Sequence, residues 1–108
     1  MNLKDLENKF HNALVETNNL SEKKCRHNPK RIKIMMDEIG AVQTAKKLVA
    51  KNTSSTGYLK MAECGCLNIT IEATMLRPEF APLFTQVELD KARLKLPENI
   101  VHLINQAL

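Results

Sequence analysis

Four side chains are of the types that ligate soft metals or supply a nucleophile: Cys25, His27, Cys64 and Cys66, set out as Cys-x-His and Cys-x-Cys. Zinc accepts thiolate and imidazole ligands, but structural sites space each pair by about two to four residues so that the backbone can wrap the ion. One intervening residue is tight, so the spacing predicts no metal site and no cofactor. Cys25 reads as a small buried hydrophobe and the other two as incidental thiols near a turn. The cysteines are odd in number and Cys64 lies too close to Cys66 for an ordinary mutual bridge, which argues against a disulfide framework. Reduced thiols fit a cytoplasmic setting.

Covalent catalysis needs more than a thiol near an imidazole. No third group to orient a base and no glycine-rich oxyanion site stand near Cys25 and His27 or near Cys64. The acid pairs Glu72 with Glu79 and Glu88 with Asp90 are better explained by helix-end electrostatics and by a capping box. The sequence therefore predicts no enzyme.

Charge carries the remaining signal. The net charge of +4 is unevenly placed: residues 1–20 sum to −1, residues 21–60 to +7 and residues 61–108 to −2. A basic middle third suits phosphate contacts and concentrates anions around it. The candidate binding residues are Lys23, Lys24, Arg26, Lys30, Arg31, Lys33, Lys46, Lys47 and Lys51, and the competing explanation is a solvated lysine-rich face. Residues 32–50 invite a helix-turn-helix reading, with Gly40 at the turn and Gln43, Thr44, Lys46 and Lys47 exposed for DNA contact. Met35, Ile39 and Val49 suit its core positions. Bulky Met36 before the turn and Lys46 at a core position do not, so a generic helix pair gripping phosphates is favoured over base reading. Few aromatics lie among these cations, so no single-strand stacking platform is suggested.

These residues must be positioned by one small body. At 108 residues the chain can bury one core, and with one Tyr, three Phe and no Trp that core is expected to be aliphatic. Three Gly and four Pro leave little turn material for a many-stranded sheet. The fold class is all-α, a single-domain bundle of about five to seven helices by this pattern reading. No apolar run approaches the ~20 residues of a membrane span, and the opening Met1-Asn2-Leu3-Lys4-Asp5 lacks signal-peptide character.

Leu3, Leu6, Phe10, Ala13 and Leu14 recur at helical spacing and predict a long first helix to about Arg26. Asn28 with Pro29 starts a second, whose Ile32, Met35, Met36 and Ile39 form one stripe ended by Gly40. A third runs to near Ala50. Lys51 to Gly57 is read as a loop and the best candidate for mobility, followed by a short helix closed by Gly65. Residues 67–76 alternate like a strand, yet Asn68 can cap a helix there, and with no partner strand the helix is favoured. Glu79 to Phe84 makes a short helix after Pro78. Thr85 and Glu88 then form a capping box, and Pro97 separates two last helices.

The chain carries Phe10-His11, Cys25-x-x-Asn28-x-x-Arg31-x-x-x-Met35, Gly40, Thr44-Ala45-Lys46-x-Leu48, Ser55-x-Gly57-Tyr58 and Leu67-x-Ile69-Thr70-Ile71-Glu72. It continues with Pro78-x-Phe80-x-x-Leu83-Phe84-Thr85-x-x-Glu88-Leu89-x-x-Ala92-Arg93-x-x-Leu96. Over residues 9–96 this order resembles a family of small bacterial and phage-associated helical proteins, or C-terminal modules, of unassigned function. The resemblance implies a helical fold, no catalytic residue, and a setting beside systems that handle foreign DNA. The family pattern has a second Gly where Ala41 stands and lacks Cys at 64 and 66.

Together these features lead to the expectation of a non-enzymatic accessory protein that associates with nucleic acid, or with a nucleic-acid-handling complex, through residues 23–51. The rival is a protein-interaction module, an inhibitor or subunit of a defence complex.

Overall fold

A 23-residue helix, α1 (Leu3–Cys25), forms the spine of the molecule. Its buried face is written into the sequence: Leu6, Phe10, Ala13, Leu14, Thr17, Asn18 and Ser21 fall three or four residues apart, so all point to one side. Asn2 caps its start by accepting from the Asp5 amide at 2.9 Å. In a computed structural model, which describes residues 2–51 and 56–106, the later helices wrap this spine. They are α2 (Lys30–Ile39), α3 (Ala41–Val49), α4 (Thr56–Glu63), α5 (Ile71–Met75), α6 (Gln86–Leu94) and α7 (Glu98–Gln106). Short 3-10 segments at Leu67–Ile69 and Pro78–Leu83 complete the elements, and there is no strand among the described residues. The all-α bundle is thus the fold.

Helix α1 packs against α3, α4, α5 and both 3-10 segments, while α5 is also covered by α6 and α7. The five-residue α5 is the hub of the core, with Ile71, Ala73, Thr74 and Met75 all buried. Aliphatic side chains fill most of that core, and three phenylalanines form an aromatic cluster within it. Phe10 meets the rings of Phe80 and Phe84 edge-on, at centroid distances of 5.1 and 5.2 Å. The expected aliphatic core is corrected at this point. All the phenylalanines converge because α1 crosses directly over the Pro78–Leu83 segment.

Other boundaries shift for identifiable reasons. The stretch 67–76 is helical but not one helix: a 3-10 turn, Leu67–Ile69, is separated from α5 by the extended Thr70, and Thr70, not Asn68, caps α5 by accepting from the Ala73 amide at 3.2 Å. Asn28 likewise leaves the α2 start uncapped, with Pro29 at the N-cap and no side-chain bond there. On α2 the core residue is Met36, Met35 is half-buried and Ile39 is exposed. Thr44, expected to face DNA, is fully buried and donates to the Gly40 carbonyl at 2.7 Å. The core of the expected loop, residues 52–55, lies outside the described residues, and Thr56 and Gly57 already belong to α4.

The cysteines overturn two expectations. Cys25 and Cys64 are joined by a disulfide, with Cα atoms 6.1 Å apart, and Cys25 is not a buried free thiol. The pairing spans 39 residues and arises because α1 and α4 end side by side. Spacing along the chain could rule out only the neighbouring pair.

Candidate nucleic-acid interface

The basic residues come from three consecutive pieces: the last turn of α1, the α2 start, and the end of α3. These pieces are packed together, α3 lying against both α1 and α2. His27, Pro29, Leu48 and Lys51 line one recess, so the end of α3 meets the α1–α2 junction. Arg26 and Lys30, the chain neighbours of His27 and Pro29, therefore flank the same place as Lys51. Lys47 is in the last turn of α3, four residues before Lys51.

Two of the nine candidates are engaged elsewhere. Lys33 pairs with Glu22 at 2.8 Å, and Lys46 reaches Glu88 on α6 at 3.4 Å. Both tie elements together and are partly buried. Lys23, Lys24, Arg26, Lys30, Arg31, Lys47 and Lys51 are exposed and enter no ion pair among the described residues. His27 does not add to their charge at neutral pH, since burial and the nearby Lys60 ammonium lower its pKa below the usual 6.5.

Helix electrostatics separates the seven further. Lys23, Lys24 and Lys47 lie in the last turns of α1 and α3, where the negative end of the helix dipole welcomes cations. Their placement is explained by the fold alone. Helix α2 runs the other way. Lys30, Arg31 and Lys33 crowd its first turns, while Asp37 and Glu38 sit near its C-terminus and no base stands in its last turn. Every one of these charges opposes the dipole, and the start has no side-chain cap. A positive helix start with cationic side chains is disfavoured for folding and favoured for holding an anion.

Behind this surface lies the recess itself, of about 60 Å³, bounded by Thr17, Asn18 and Ser21 of α1 and by Tyr58, Glu72 and Lys95. That volume admits a few water molecules. Its polar walls are tied into the fold. The single Ser21 hydroxyl proton has two acceptors within reach, the His27 carbonyl at 3.1 Å and the Met61 sulfur at 3.4 Å, and Asn18 donates to the Met36 sulfur at 3.5 Å. Tyr58 donates to the Lys95 carbonyl, and Lys95 donates to the Leu48 carbonyl at 3.3 Å. Burial raises the Glu72 pKa above its usual 4.5, only partly offset by a backbone amide of its own and by the Lys95 charge. Tyr58, Glu72 and Lys95 were not singled out as a group by the sequence. Their only shared signal is that Tyr58 and Glu72 both fall in the motif segments that carry the resemblance.

No helix among the described residues is long and apolar enough to cross a membrane. Comparison with protein-family models, curated proteins and solved structures finds no match for this chain.

Proposed function

We propose that the chain is a non-enzymatic accessory protein that holds nucleic acid, or a nucleic-acid-handling complex, against residues 23–51, in a bacterial or phage defence setting. The observation that carries this reading is the reversed charge of α2. Lys33 answers Glu22, but Lys30 and Arg31 enter no ion pair among the described residues and weaken a positive helix start, so their presence calls for a reason outside folding, and a phosphate backbone supplies one. The seven exposed cations around the α1–α2 junction and α3 would extend the contact to neighbouring phosphates. The mechanism is occupancy and positioning, without chemistry. Replacing Lys30, Arg31, Lys47 and Lys51 together by Gln tests it: binding to duplex DNA or RNA should weaken and its salt dependence flatten. Replacing the ion-paired Lys33 and Lys46 should leave the salt slope unchanged.

A second reading, a protein-interaction module such as an inhibitor or subunit of a defence complex, is favoured by α6. Val87 and Leu94 lie seven residues apart on that helix and are 64% and 87% exposed. Two large apolar side chains on one outer helix face suit a protein partner. Association that ignores salt, abolished by Val87→Ser with Leu94→Ser and unaffected by the lysine changes, would establish it over the first.

A further inference from the structure

Helix α1 ends at Cys25 and helix α4 at Glu63, each just short of a residue with positive φ. Cys25 precedes Arg26, which is left-handed at φ 51°, and Cys64 precedes Gly65, left-handed at φ 72°. Each left-handed residue halts its helix and turns the chain, leaving the preceding cysteine facing its counterpart. The turn at Gly65 is closed by two backbone bonds, from the Gly65 amide to the Ala62 carbonyl at 3.2 Å and from the Cys66 amide to the Met61 carbonyl at 2.8 Å. This folds Cys66 back beside Cys64. The Sγ atoms of Cys25, Cys64 and Cys66 all lie within 4.8 Å of one another. A Cys-x-Cys spacing that is tight for an extended knuckle thus delivers both sulfurs to one point, because the residue between them is a left-handed glycine.

A structural disulfide uses two sulfurs and has no need of a third. We propose that, with Cys25 and Cys64 reduced, the three cysteines bind one thiophilic d10 cation of the zinc(II) and copper(I) class as thiolates. Metal–sulfur bonds of about 2.3 Å place three thiolates about 4 Å apart. Opening the Cys25–Cys64 bond and a modest spreading of side chains is all the rearrangement required. The electrostatics agree. Lys23 and Lys24 in the last turn of α1, with Lys60 in that of α4, offset the surplus charge of three thiolates. His27 is not part of the set; it lines the recess instead.

The balance is simple. A dithiol reductant gives two electrons and two protons to the Cys25–Cys64 bond, yielding two thiols and becoming a disulfide itself. Metal binding then releases one proton from each of three thiols, so affinity rises with pH. Disulfide and metal are alternative states of the same sulfurs.

The test is anaerobic titration of the reduced full-length protein with cobalt(II), followed by displacement with zinc(II), and separately with copper(I) against a competing chelator. One equivalent should bind with thiolate-to-cobalt charge-transfer absorption, independent of nucleic acid. Cys66→Ser keeps both disulfide partners and should still weaken binding at least tenfold, as should Cys25→Ser. Absence of charge-transfer absorption and of copper(I) binding in the folded, reduced protein overturns the proposal. So does a Cys66→Ser protein with unchanged spectrum and affinity, which would make Cys66 a bystander to an ordinary disulfide.

Discussion

Lys46 on α3 lies 3.4 Å from the Glu88 Oε1 atom, the same oxygen that accepts the Thr85 amide at 2.8 Å at the start of α6. One carboxylate therefore closes a capping box and joins two helices, which removes Lys46 from the basic surface.

Replacing Thr85 by Ala should cost about 1 kcal/mol of stability in a denaturant titration, and Glu88 by Gln, which keeps a capping acceptor and loses the Lys46 pair, less than about 1 kcal/mol. Burial alone would raise the Glu88 pKa, but the Thr85 amide and Lys46 outweigh it and hold the carboxyl below its usual 4.5. Its contribution is thus present above pH 4.5 and lost as pH falls through the lower folded value. The Glu88→Gln deficit should shrink in the same acid range.

Glu72 has the opposite sign. Burial raises its folded pKa, so its ionisation works against the fold as pH rises from 4.5 through that higher value. Glu72→Gln should raise the melting temperature at neutral pH, with the difference from the parent vanishing below the usual carboxylate range. A lower melting temperature at neutral pH would mean that the Lys95 attraction outweighs the burial.

Phe10 is fully buried between two other rings. Phe10→Ala should cost about 3–5 kcal/mol, and calorimetry should show a much lowered or absent unfolding transition.

Folding and binding should separate at the start of α2. Lys30→Glu with Arg31→Glu puts acids where the helix dipole favours them, so the melting temperature should hold or rise while nucleic-acid binding falls. Each lost phosphate contact should reduce the slope of log K against log salt by about 0.9. A fall in stability together with binding would assign these residues to the fold.

Much of the fold was legible because local rules and tertiary packing agree. The α1 stripe, the Gly65 stop and the Thr85 capping box were readable from spacing alone. What the sequence hid depends on crossing distances. Thr17, Asn18 and Ser21 look like a polar interruption of the α1 stripe, yet all are buried, Asn18 and Ser21 bonding to methionine sulfurs supplied by α2 and α4. Thr44 passed as a DNA-facing residue because a hydroxyl that bonds its own helix backbone leaves no pattern. At the candidate surface, the number of cations was legible, but which two were consumed by Glu22 and Glu88 was not. The thiol cluster needed the meeting of two helix ends that no spacing reveals.

The decisive measurement is binding of the purified chain to labelled duplex and single-stranded DNA and RNA across a salt series. With seven exposed cations that enter no ion pair among the described residues, binding at low salt should be micromolar or tighter, with a slope of log K against log salt no steeper than about −6 on duplex DNA. The Lys30, Arg31, Lys47 and Lys51 quadruple variant should lose most of that slope. No binding at low salt, or binding indifferent to the quadruple change, would contradict the nucleic-acid reading and leave the α6 face as the leading functional surface.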